Sequence, residues 1–226
     1  MRLVSAALLL VSLFVLWLAA PRFAAGVATA PHGDTVANAD RPGSGAPGDG
    51  ALARAIAGHR KALSWRSDPG TTGGLGKLYL IEAQRSFAAG DAETGRGLLR
   101  ESVLYGRASL AAAPLQPYVW TRLVQAEVGD GAPADEAARH LSMAMETAPW
   151  EPALAVAQLG LAFMLWDQFD PATQASFGQH VRYAARFYPG ALARQTRQHR
   201  AQDQVLRALE DDPDLLRRFS LAYSRL

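Results

Sequence analysis

The five-residue pattern Ala113-Pro114-Leu115-Gln116-Pro117 returns as Ala148-Pro149-Trp150-Glu151-Pro152, 35 residues further on. That recurrence limits the architecture more than any other feature of the chain. Proline fixes its own φ and has no N–H to give a helix interior, so each pattern ends one helix and starts the next. Around both patterns, apolar residues recur at three- and four-residue spacing with no sustained alternation, which predicts helices rather than strands. One helical hairpin fits such a period. A single hairpin cannot bury its own apolar stripe, whereas a stack of them can. The sequence therefore predicts an all-α array of stacked hairpins.

The same punctuation extends in both directions. A helix over residues 75–88 stops at Gly90-Asp91, and a longer one over 92–113 ends at Pro114. The next contains Trp120 and Leu123 and breaks at Gly129-Asp130-Gly131, and Ala137, Leu141 and Ala144 follow in its partner. Helices are then predicted over 152–168 and 171–188. The second opens on Asp170-Pro171, an N-cap followed by a proline at the first helical position, and carries the stripe Phe177, Val181, Ala184 or Ala185, and Tyr188. One further helix is predicted over 191–209. A last one, starting at Asp212-Pro213 with Leu216, Phe219 and Tyr223, serves as a terminal cap.

At Ala113-Pro114-x-x-Pro117-x-x-Trp120-x-x-Leu123, and again at Ala148-Pro149-x-x-Pro152, the chain resembles tetratricopeptide-repeat proteins. The helix from Ala92 is about two turns longer than such a repeat uses, so these are degenerate copies. The stretch from Leu161 to Pro171, with Ala208-Leu209-Glu210-Asp211-Asp212-Pro213, resembles small membrane-anchored proteins associated with bacterial surface-polysaccharide biosynthesis and export. What that resemblance implies is a role in assembly or regulation beside a glycan machine, with no catalytic residues to carry over.

The N-terminus is of a different kind. Residues 3–20 carry no charge; as a helix they extend about 27 Å, close to the hydrocarbon thickness of a bilayer. The run is somewhat longer than a signal peptide's apolar core, so residues 1–23 are read as a membrane anchor, with a cleavable signal as the alternative. Ala28-Thr29-Ala30 is a candidate cleavage site, compromised by Pro31 directly after it. Either reading places the rest of the chain outside the cytoplasm, at the periplasmic face of an inner membrane. Residues 24–50 are rich in glycine and proline and poor in large apolar residues, which predicts a flexible tether; residues 51–226 form the helical-repeat domain. Within it a helix over 51–64 presents Leu52, Ile56 and Leu63 on one face. Between Ser67 and Lys77 the glycines imitate a phosphate-binding loop. The match fails because Leu78 stands where a magnesium-binding hydroxyl is needed and no strand precedes, so a turn-rich loop is expected there.

Composition excludes several activities. The 23 Lys and Arg against 21 Asp and Glu leave a net charge of +2, which offers nucleic acid no electrostatic footprint. There is no cysteine, so disulfides, thiolate metal sites and thiol catalysis are excluded. No two of His32, His59, His140, His180 and His199 stand four apart, and no Gly-x-Ser-x-Gly elbow occurs. The acidic residues between Glu210 and Asp214 sit at a helix start, where capping and the dipole account for them. No catalytic, cofactor-binding or metal-ligating residue is therefore expected, and the chain reads as a non-catalytic protein-interaction scaffold in the cell envelope. An envelope enzyme with a carboxylate pair across a cleft is a rival reading. A glycan-binding module is another. The candidate interaction surface is Tyr118 and Trp150 with Arg182, Arg186, Arg194, Arg197 and Arg200. Between Arg182 and Arg207 only Asp203 opposes six arginines, a charge suited to an acidic polysaccharide, anionic headgroups or an acidic protein face.

Overall fold

The computed structural model describes residues 2–38 and 47–226. These residues are predominantly helical, with no strand among them. The helices are α1 (Arg2–Thr29), α2 (Gly33–Asn38), α3 (Asp49–Trp65), α4 (Pro69–Ala88), α5 (Ala92–Ala112), α6 (Pro117–Asp130), α7 (Ala134–Thr147), α8 (Pro152–Met164), α9 (Pro171–Phe187), α10 (Pro189–His199), α11 (Gln202–Leu209) and α12 (Pro213–Tyr223).

Local chemistry explains most of these boundaries. Asp68, Asp91, Asp170 and Asp212 each accept the backbone N–H three residues on, at 2.8, 3.0, 2.7 and 3.0 Å. Each satisfies one of the donors a helix start leaves unpaired. Pro117 and Pro152, the last residues of the two recurring patterns, begin α6 and α8. Gly90 and Gly131 adopt left-handed φ of 83° and 82°. The N–H of the residue after each reaches back to Ser86 and Glu127 carbonyls at 2.9 Å, closing α4 and α6 in the Schellman manner.

Three expectations are corrected. The loop expected between Ser67 and Lys77 is already helix: Asp68 caps α4 and Pro69 occupies its first turn. Its glycines serve packing, since a Cβ on Gly76 would lie 3.3 Å from both Gly106 N and Ser102 O of α5. The single helix expected over 191–209 is broken at Arg200, whose φ is 54°; Ala201 then donates to the Thr196 carbonyl and is itself buried. A Schellman stop with arginine in glycine's place carries no sequence signal. Finally, much of the tether expected over 24–50 is ordered. α1 continues to Thr29, a 3₁₀ turn spans Ala30–His32, and α2 follows. Residues 39–46 of that tether lie outside the described residues.

The chain forms two compact units, Met1–Pro114 and Leu115–Leu226. In the first, α3 and α4 enclose Leu52, Ala55, Ile56, Leu75, Leu78 and Tyr79, with Val36 and Leu63 at the edge. In the second, α9 packs against α8, α10, α11 and α12. Its stripe of Phe177, Val181, Ala184 and Ala185 joins Leu141, Leu159, Phe163, Leu192, Leu209 and Phe219 in one core. Trp120 and Trp166 pack half-buried against that core.

Candidate interaction surface

One surface of the second unit is built around Trp150, in the turn between α7 and α8. Pro149 stands in that turn and Pro152 begins α8 directly after it. Trp150 is 49% exposed. Its ring stacks on His180 at 5.4 Å and meets Tyr183 at the same distance, while the Tyr183 hydroxyl donates to the Trp150 carbonyl at 3.4 Å. Tyr183 in turn contacts Phe187 at 4.9 Å. Residues 180, 183 and 187 lie on one face of α9 at helical spacing, so one helix carries an aromatic ladder to the indole.

Two grooves flank Trp150. One, of about 330 Å³, is lined by Gln179, Arg182, Tyr183, Arg186, Phe187, Asp212 and Leu215. The other, of about 380 Å³, is lined by Ser142, Met145, Glu146, Pro149, Ala172, Thr173, Ser176, Gln179 and His180. Three of the expected surface residues, Trp150, Arg182 and Arg186, therefore meet at one site. Arg182 is partly committed, because its Nη1 donates to the Ala208 carbonyl at 2.9 Å and ties α9 to α11. Arg194, Arg197 and Arg200 are exposed on α10 and its C-cap and line neither groove. Tyr118 lies on α6, under the Arg122 guanidinium at 5.7 Å, and is also outside both grooves. The arginine-rich segment is thus two patches. Tyr183 and Phe187 are absent from the expected set, although their i, i+4 spacing toward the proline turn is the signal that marks them.

His180 is held between Trp150 and Phe177, with ring centroids 5.4 and 6.2 Å away. Neither ring nitrogen makes a hydrogen bond of normal geometry. Burial holds its imidazole below the ordinary value of 6.5, and a backbone contact at Ser176 opposes this only in part. Burial also lowers His199. The unfolded chain therefore takes up protons just below pH 6.5 that the folded unit does not. The stability contributed by this difference is complete above about pH 6.5 and is lost as pH falls toward the folded-state values. Thermal unfolding should consequently begin at a lower temperature at pH 5 than at pH 7.5. His180→Phe, which keeps an aromatic ring in the slot, should flatten that dependence; a variant with the parent slope would assign the effect elsewhere.

A second cluster, missed by counting histidines alone, joins α6 to α7. Glu127, whose side chain is fully buried, lies 2.8 Å from His140 Nδ1. Glu136, one turn before His140, brings a third donor atom within 4.8 Å of the others, and Trp120 covers the imidazole at 5.3 Å between rings. These are ligand types that can hold a divalent cation, and a carboxylate-oriented histidine can act as a base. In this structure the Glu127–His140 contact links the two helices of a pair. Searches of protein families, curated proteins and solved structures find nothing that matches this chain.

Proposed function

We propose that this chain is a membrane-anchored, non-catalytic interaction scaffold of the cell envelope, built from degenerate tetratricopeptide-like hairpins, and that it holds a partner protein at the Trp150 surface. The observation that carries this reading is the composition and exposure of that surface. Trp150 and Phe187 are large and exposed, and Tyr183, Arg182 and Arg186 stand between and beside them. Trp, Tyr and Arg are the residues in which binding energy concentrates at protein interfaces. The proline-punctuated helices α6 to α8 support the repeat reading, and one N-terminal helix long and apolar enough to cross a membrane supports the anchor. The expected partner belongs to envelope glycan machinery, with the folded units on the periplasmic side; the resemblance of residues 161–171 and 208–213 to proteins of surface-polysaccharide biosynthesis and export is what supports this.

A second reading has its own support. The groove beside His180 offers the hydroxyls and amide of Ser142, Thr173, Ser176 and Gln179 next to an indole. Neutral hydrogen-bonding groups around an aromatic platform also suit a saccharide, and Arg186 nearby suits an acidic one. Photo-reactive residues placed at Gln179 and at Phe187 in cells separate the two. Capture of one defined envelope protein, abolished by Trp150→Ala, supports the scaffold. Capture of polysaccharide alone transfers the surface to the second reading, and capture of neither removes both.

A further inference from the structure

The apolar helix does not stop where a membrane span would. Every side chain from Leu9 to Ala20 is exposed, as bilayer-facing residues are. The Arg22 guanidinium then folds back to donate to the Leu18 carbonyl at 2.9 Å, the posture of a charged side chain at the end of a span. Yet the backbone stays right-handed helical through Thr29 (φ −96°, ψ −28°) and Gly33 (φ −54°, ψ −46°). Along this continuation one face is covered: Pro21, Ala24, Ala25, Ala28, Thr29 and His32 are half-buried, whereas Phe23 and Val27 are exposed.

The covered face lies against α3, and the fit there is close. A Cβ on Gly58 would come within 2.7 Å of the Ala28 carbonyl oxygen and 2.6 Å of the His32 ring, so only glycine admits this approach. Further along, Val36 packs against the cluster containing Leu52 and Ile56, and buried Lys77 donates to the Val36 carbonyl. Contact thus moves toward the start of α3 as the N-terminal helix proceeds, so the two run antiparallel. Pro21 and Arg22 accordingly lie toward the end of α3, where Trp65 is exposed with Lys61 Nζ 5.3 Å from its ring centre.

We infer that α1 is a retained and rigid anchor, and that it seats the C-terminal end of α3, Trp65 with Lys61, in the headgroup layer of an anionic bilayer. The inference rests on the membrane-anchoring part of the proposed function. Indole and amine are the groups that favour this layer, the first for its amphipathic ring and the second for its charge. Cleavage after Ala30 would strip the covering helix from α3, so removal of the N-terminus is incompatible with the seat.

The absence of cysteine makes the test direct. Intact mass of the full chain from washed membranes should retain the N-terminal residues, and a product beginning at Pro31 overturns the inference. With the full chain in phosphatidylcholine–phosphatidylglycerol vesicles, a fluorophore on Ser64→Cys, an exposed position beside Trp65 that leaves the indole in place, should lose at least about half its emission to a headgroup-level spin label. No quenching of an intact, membrane-bound protein overturns the seat while leaving the anchor. Ala28→Cys should react with a maleimide at least about tenfold more slowly than an unstructured thiol, and adding Gly58→Leu should restore fast reaction. Fast reaction without that substitution restores the flexible tether. Should the double variant not fold, the Ser64 probe still decides, and partner capture at Trp150 is scored independently.

Discussion

Phe177→Ala should destabilise the second unit by about 3–5 kcal/mol, the range for deleting a fully buried aromatic ring. The side chain is 1% exposed and meets four other rings, Phe163, Trp166, Phe169 and His180, at 5.8, 5.6, 6.5 and 6.2 Å. Those contacts come from α8, the 3₁₀ turn that follows it, the connection to α9, and α9 itself. No single neighbour can relax into the space without dragging the others, so the cavity stays open and its full cost is felt. Against a typical total of about 5–15 kcal/mol this is a large fraction. Urea unfolding followed by far-UV circular dichroism should show a much lower midpoint, and Phe177→Leu, which refills part of the volume, should recover more than half the loss. A change below about 1 kcal/mol for the alanine variant would mean that Phe177 is not the hub of this core.

How much of this was legible beforehand depended on whether the controlling interaction is local. Asp170-Pro171 and Asp212-Pro213 announce their helices because the cap and the missing N–H both act within three residues. Gly90 and Gly131 announce their stops because only glycine adopts a positive φ at no cost. The Phe177, Val181 and Ala184 stripe is legible for a similar reason, since periodicity records which face is buried. Arg200 shows the limit: its left-handed φ is compensated by burying Ala201, a tertiary gain that leaves no mark on residue type. Gly74 and Gly76 show the same limit from the other side. Within residues 67–77 they read as loop, whereas a Cβ on Gly76 would lie 3.3 Å from backbone atoms of Gly106 and Ser102. The surface was legible in part. Trp150 stands out beside its proline turn, while the i, i+4 spacing that marks Tyr183 and Phe187 is outweighed by the apolar stripe on the other face of the same helix. The pairing of Glu127 with His140 crosses two helices and thirteen positions, a distance over which no spacing rule operates.

Trp150→Ala should weaken partner binding by about thirtyfold or more, the loss that truncation of an interfacial tryptophan of about 2 kcal/mol produces. The substitution removes the ridge between the two grooves and uncovers His180, so both lose a wall at once. The indole is half exposed, and removing it takes away one stack on His180 and one tilted contact with Tyr183. The fold should therefore persist, with helix content unchanged and a destabilisation of no more than about 1–2 kcal/mol. Binding and folding should thus separate, which a core substitution such as Phe177→Ala cannot do. Arg186→Glu supplies the complementary test. It reverses an exposed charge at the groove edge, so it should slow association and weaken the salt dependence while leaving dissociation of the formed complex less affected. Arg194→Glu makes the same change of charge on α10, outside both grooves. If it weakens binding as much as Arg186→Glu does, the working surface is the arginine face as a whole; if it does not, the energy is focused where the aromatic ladder meets Trp150.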